Sequence, residues 1–172
     1  MSFTTTLKLI ASALPLAASM ITSTAYAADI PPVYVSASDG DDEQNTACNL
    51  RHAQAVTTVQ GALRNRGVKI GSQDDYFADR AMVMYVSLTA LRQQNNSGEQ
   101  LTHCAAYVEL EFSTGTNVVN PVNSQKHWAS ISWCNVGTLF NWRASEIQGR
   151  ASEELRDLVG RCLDKYTSSI RN

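Results

Sequence analysis

The sequence predicts an α+β fold: a two-layer sandwich in which an antiparallel β-meander carries two helices on one face, in the order β-α-β-β-β-α. Three observations predict it. Cys104, Ala106, Val108, Leu110 and Phe112 alternate with Tyr107, Glu109 and Glu111, the period of a half-covered strand. Leu155, Leu158, Val159, Cys162, Leu163, Tyr166 and Ile170 recur at three- and four-residue intervals, the apolar stripe of a helix lying on a core. Four cysteines, Cys48, Cys104, Cys134 and Cys162, fall on predicted elements and read as a disulfide brace.

The first 27 residues, MSFTTTLKLIASALPLAASMITSTAYA, hold one basic residue (Lys8), an interrupted apolar run and small residues at Ala25 and Ala27. This is the pattern of a cleavable secretory signal peptide, too short and too polar for a spanning helix. The expected mature chain, residues 28–172, is one domain of 145 residues (172 minus 27), long enough for its own core. Of the 14 Lys and Arg residues Lys8 falls in the leader, which leaves 13 against 16 acidic residues and a formal charge of −3. With no block of Lys or Arg, nucleic acid is excluded as a partner on electrostatic grounds. The predicted location is the bacterial periplasm, or secretion beyond it, an oxidising setting that suits paired cysteines.

After the extended ADIPP lead-in, Val33–Ala37 is β-branched and aromatic and reads as the first strand. The acidic stretch with Asp39, Asp41, Asp42 and Glu43 follows. Read as an EF-hand from Asp39 it fails, because the sixth and twelfth positions hold Gln44 and Leu50 rather than Gly and Glu. It is expected to be a solvated loop before a helix amino terminus; a Ca²⁺-binding or small-ligand module built on it is an alternative. Thr46 is the expected cap of a helix bearing Leu50, Ala53, Val56, Val59 and Leu63, with Gly67 as its left-handed stop.

Residues 72–80 form a polar connection with room for one helical turn, and residues 81–93 read as a strand covered on one face and half covered on the other. NNSGE marks a turn before the alternating strand at 102–114. GTNVVNPVNSQK reads as a long turn, His127–Trp142 as the last strand, and Ser152 as the cap of the final helix.

ALRNRGVKI, DRAMVMYVSL and AAYVELEF, taken in this order, resemble the layout of small periplasmic modules such as the amino-terminal domain of the Tol-Pal propeller protein and the periplasmic domain of the curli secretion channel. In those families a strand and a Gly-terminated helix lead to a meander and a second helix. The resemblance spans residues 33–168, includes no cysteine framework, and implies a binding or assembly role.

Four cysteines allow three pairings. A hairpin hinged at Val119 sets Cys104 opposite Cys134 and leaves Cys48 to join Cys162, which is the preferred set. The competing set joins Cys48 to Cys104 and Cys134 to Cys162, tying each helix to the sheet. In either case the cysteines are structural, and their wide spacing gives no metal site.

No catalytic motif is present. His52, His103 and His127 stand far apart, and the same hinge places His103 opposite Asn135. A small hydrolase of cell-wall material assembled from His103, His127 and Glu109 is the enzymatic alternative. The expected function is non-enzymatic: binding another envelope or secreted protein, as an assembly factor or an inhibitor or immunity protein, with no cofactor. The residues expected to do so are Tyr107, Glu109 and Trp133 on the uncovered sheet face, an aromatic and acidic patch, with the long loop at 113–126 as the alternative surface. In the alternative arrangement the loop at 117–126 covers Trp133, and Trp142 packs under the last helix.

Overall fold

The structure is a computed structural model that describes residues 30–38 and 42–171, with only the backbone of Asp42. The signal-peptide reading (1–27) and the acidic residues Asp39 and Asp41 lie outside the described residues. The elements are β1 (Val33–Ala37), α1 (Asp42–Ala47), α2 (His52–Asn65), α3 (Gln73–Phe77), β2 (Met82–Gln94), β3 (Gln100–Val119), β4 (Lys126–Arg143) and α4 (Ile147–Ser169). The expected α+β sandwich is present: a sheet ordered β1-β2-β3-β4, with α2 and α4 on one face. β2, β3 and β4 form the antiparallel meander. β1 runs parallel to β2, so the sheet is mixed, as a strand returning through a helical crossover requires.

Alternation sets the layers. Val33 and Val35 of β1, Met82, Met84, Val86 and Leu88 of β2, and Cys104, Ala106, Val108, Leu110 and Phe112 of β3 are all buried toward the helices. Leu155, Leu158, Val159, Cys162, Leu163 and Tyr166 of α4 meet them. Ile170 departs from the predicted stripe: it is the C-cap of α4 and is exposed. α2 and α4 pack side by side, and Thr58 Oγ1 donates to Ser152 Oγ at 3.3 Å where they touch.

Ser152 is therefore not a cap. α4 begins five residues earlier, because Ile147 and Ala151 extend the buried stripe of Leu155 back toward the strand. Thr46 is not a cap either: the expected single helix is broken at Cys48 and Asn49, where Asn49 takes φ 58° and separates α1 from α2. Ala53 is consequently exposed while Ala55, Val59 and Leu63 are buried. Gly67, at φ 78°, ends α2 as expected.

The disulfides join Cys48 to Cys104 and Cys134 to Cys162, which corrects the preferred pairing. The reason is the hairpin. β3 runs on through Val119, which pairs with Lys126, and the turn closes with Asn120 N–H donating to Gln125 O at 2.8 Å. Asn120 Oδ1 accepts from Val122 N–H and Asn123 Oδ1 from Gln125 N–H, so the side-chain turns sit here rather than at Gly115. Cys104 then faces Trp142 and Cys134 faces Phe112, eight positions apart along β3, about 26 Å of strand. The same shift places His103 opposite Arg143 instead of Asn135.

Candidate protein-binding face

Among the described residues the two long helices, α2 and α4, lie on one side of the sheet, so the side chains of odd parity in β2 and β3 look outward on the other. Tyr85 pairs with Glu111, Ser87 with Glu109 and Thr89 with Tyr107 across β2 and β3. On the β4 side the partners are Asn135, Gly137 and Leu139. Glu109 and Glu111 thus sit on a central strand flanked only by neutral cross-strand neighbours, positions where a Lys or Arg would ordinarily balance them. Leu139, 72 % exposed, and Tyr107 lie beside them.

Two aromatic rings rest on glycines of this face. Tyr107 lies over Gly137, whose Cβ, were there one, would stand 2.6 Å from Tyr107 Cζ. Trp128 lies over Gly115 in the same way. In a strand, glycine leaves the space that a neighbouring ring fills. Tyr76 of α3 meets the Trp128 ring edge-on at 6.0 Å and stacks on Tyr34 at 6.3 Å, while the adjacent Phe77 is 65 % exposed. The outward face is therefore aromatic at one end and acidic in the middle.

α3 owes its existence to Ser72. Ser72 Oγ accepts from Asp75 N–H at 3.1 Å and the Asp75 carboxylate accepts from Ser72 N–H at 3.1 Å, a capping box. Hydrogen bonds from Ser72, with Arg80 adding its guanidinium, lower the Asp75 pKa to about 2. Without this box the aromatic cluster would lose Tyr76.

Trp133 is elsewhere. The register shifts between Phe112 and Ser113, which pair with Cys134 and Ser132, so Trp133 is the unpaired residue of a β-bulge. Its ring packs edge-on against Tyr166 of α4 at 5.4 Å, on the helix side of the sheet. Strict alternation back from Cys134 misassigns it by one step, and with it Ala129 and Ile131, whose partners Thr116 and Thr114 share the inward parity of Phe112; Trp128, beyond the bulge, occupies the outward face instead. Tyr166, with Phe112 on its other side, has its phenol pKa raised by burial. Trp142, opposite the buried Cys104, lies on the helix side beside the first turns of α4, with Arg150 of that helix over its ring at 5.6 Å, and stays 42 % exposed.

The histidines do not converge. His103 pairs with Arg143 at one end of β3 and His127 with Val118 at the other, 15 positions or about 50 Å apart along the strand. Among the described residues no three His, Cys, Asp or Glu side chains are grouped to hold a metal ion, and no helix is long and apolar enough to cross a membrane. A shallow groove of about 470 Å³ opens where β2 ends and β3 begins, beside Gln44 of α1, lined by glutamines, Arg92, Leu91 and Leu101.

No family model and no curated protein matches the chain. Solved structures with a partly similar layout include rare lipoprotein B from Shewanella oneidensis (18 % identity, TM-score 0.36, covering 82 % of this chain and 97 % of that one). A PelC dodecamer from Paraburkholderia phytofirmans gives 12 % identity and a TM-score of 0.37, covering 80 % and 89 %. A neuraminyllactose-binding hemagglutinin homolog from Helicobacter pylori gives 10 % and 0.35, covering 83 % and 88 %. At such scores and identities none of them bears on what this chain does.

Proposed function

We propose that the protein is exported to the bacterial periplasm or beyond and acts without catalysis, by binding another envelope or secreted protein through its outward sheet face. The observation that carries this reading is the unbalanced face itself: Glu109 and Glu111 on the central strand, framed by Tyr85, Tyr107 and Leu139, with α2 and α4 on the opposite side. Exposed aromatics flanking unpaired carboxylates suit a partner surface that brings Lys or Arg among apolar side chains. The two disulfides tie helices to the sheet behind this face, and such bridges persist in an oxidising compartment. A catalytic site built from His103 and His127 has no support in their placement.

The test is binding rather than turnover. The exported protein should retain a stoichiometric partner from envelope extract, and Glu109→Lys with Glu111→Lys should release it while leaving the fold intact. Retention unchanged by the charge reversal would remove the outward face from the account.

A further inference from the structure

The two edges of the sheet are unlike. β1 is five residues long, and where it ends, after Ser38 N–H bonds to Val86 O, Asn45 of α1 donates its side-chain amide to Leu88 O, the next carbonyl along that edge of β2. β4 is 18 residues long, and among the described residues no strand pairs with its outer edge. None of residues 127–142 is Asp, Glu, Lys, Arg or Pro. Sheet edges are ordinarily guarded against pairing by such residues or by shortness. The Trp133 bulge interrupts β4 once, and beyond it residues 134–143 keep an unbroken register with β3.

We propose that this half of β4 pairs with the same segment of a second copy, antiparallel about a two-fold axis at Thr138, joining two sheets into one of eight strands. The proposal goes beyond the binding role of the outward face and does not depend on it. The segment is self-complementary in this register. Val136 falls opposite the second copy's Phe140, both half-buried on the helix side. Asn135 falls opposite Asn141, Thr138 meets Thr138, and the exposed Leu139 falls opposite Gly137, beside the Tyr107 ring that lies over it. Pairs of apolar, amide and hydroxyl side chains stabilise a sheet, and no like charges are set together between the ends.

The helices fit the same arrangement. α4 packs on β3 and β4. With strands about 4.8 Å apart, two copies of α4 placed above the joined edges stand about 10 Å apart, an ordinary helix-packing distance.

Sedimentation equilibrium on the exported, oxidised protein is the test. A dimer mass is expected, with Leu139→Lys and Asn141→Lys each weakening self-association about tenfold or more, because each change enters twice across the axis. Leu139 and Asn141 are both exposed, so near-ultraviolet circular dichroism should match that of the unaltered protein. Val122→Lys, at the hairpin tip, should leave the dimer intact. A monomer mass up to the solubility limit would overturn the proposal, and so would a dimer indifferent to both edge variants.

Discussion

Tyr107 lies across Gly137 on the neighbouring strand, in the space that any other residue's Cβ would occupy. The pairing holds an exposed ring flat to the sheet beside Glu109. Because it is the far end of the Tyr107 side chain that approaches Gly137, an added methyl displaces the ring rather than the strand. Gly137→Ala should change stability by less than about 1 kcal/mol in urea unfolding. It should nevertheless weaken partner retention as much as Tyr107→Ala does. Equal retention by Gly137→Ala and the unaltered protein would show that the ring's position does not matter.

The three tryptophans should separate by environment. Trp133, half-buried against Tyr166, should cost about 3 kcal/mol or more when replaced by Ala. Trp128, 47 % exposed and edge-on to Tyr76, should cost about 1 kcal/mol. Chemical denaturation of the two variants reads the difference directly, and the reverse order would place Trp133 on the outward face after all.

The disulfides predict a ranking. Cys48–Cys104 closes a separation of 56 residues and Cys134–Cys162 one of 28. Each bridge should stabilise the fold by about 2–4 kcal/mol, and the longer loop should be worth about 0.6 kcal/mol more because doubling a loop costs that much closure entropy. Non-reducing peptide mapping checks the connectivity, and unfolding of the two double Cys→Ala variants checks the order.

Asp75 supplies a pH dependence with a definite sign. Its folded pKa, about 2, lies below the ordinary 3.8, so its stabilisation of α3 is present above pH 4 and is lost as the pH falls toward 2. Tryptophan emission, reporting Trp128 under Tyr76, should change through that acid window. In Asp75→Asn the amide cannot replace the charge, and that part of the change should vanish.

Much of this architecture was legible in residue order. The alternation of Cys104 to Phe112 located the covered face of β3, and the stripe from Leu155 to Tyr166 located α4, because both periods continue across a single layer of core. What alternation does not carry is a change of phase. The bulge at Trp133 moved one tryptophan inward and put another, Trp128, in its place. Likewise Gly115 reads as a turn residue until Trp128 is seen to occupy its missing side chain. That misreading shortened the hairpin, moved its hinge, and with it the disulfide pairing. Tyr107 and Glu109 kept their predicted face because they precede the phase change.

The most direct measurement of the central claim is quantitative capture by the oxidised protein from envelope extract, comparing it with Glu109→Lys/Glu111→Lys. A single partner held at one-to-one stoichiometry and lost on charge reversal is the predicted result. An empty column, or a partner held equally by both proteins, would contradict a binding role for this face.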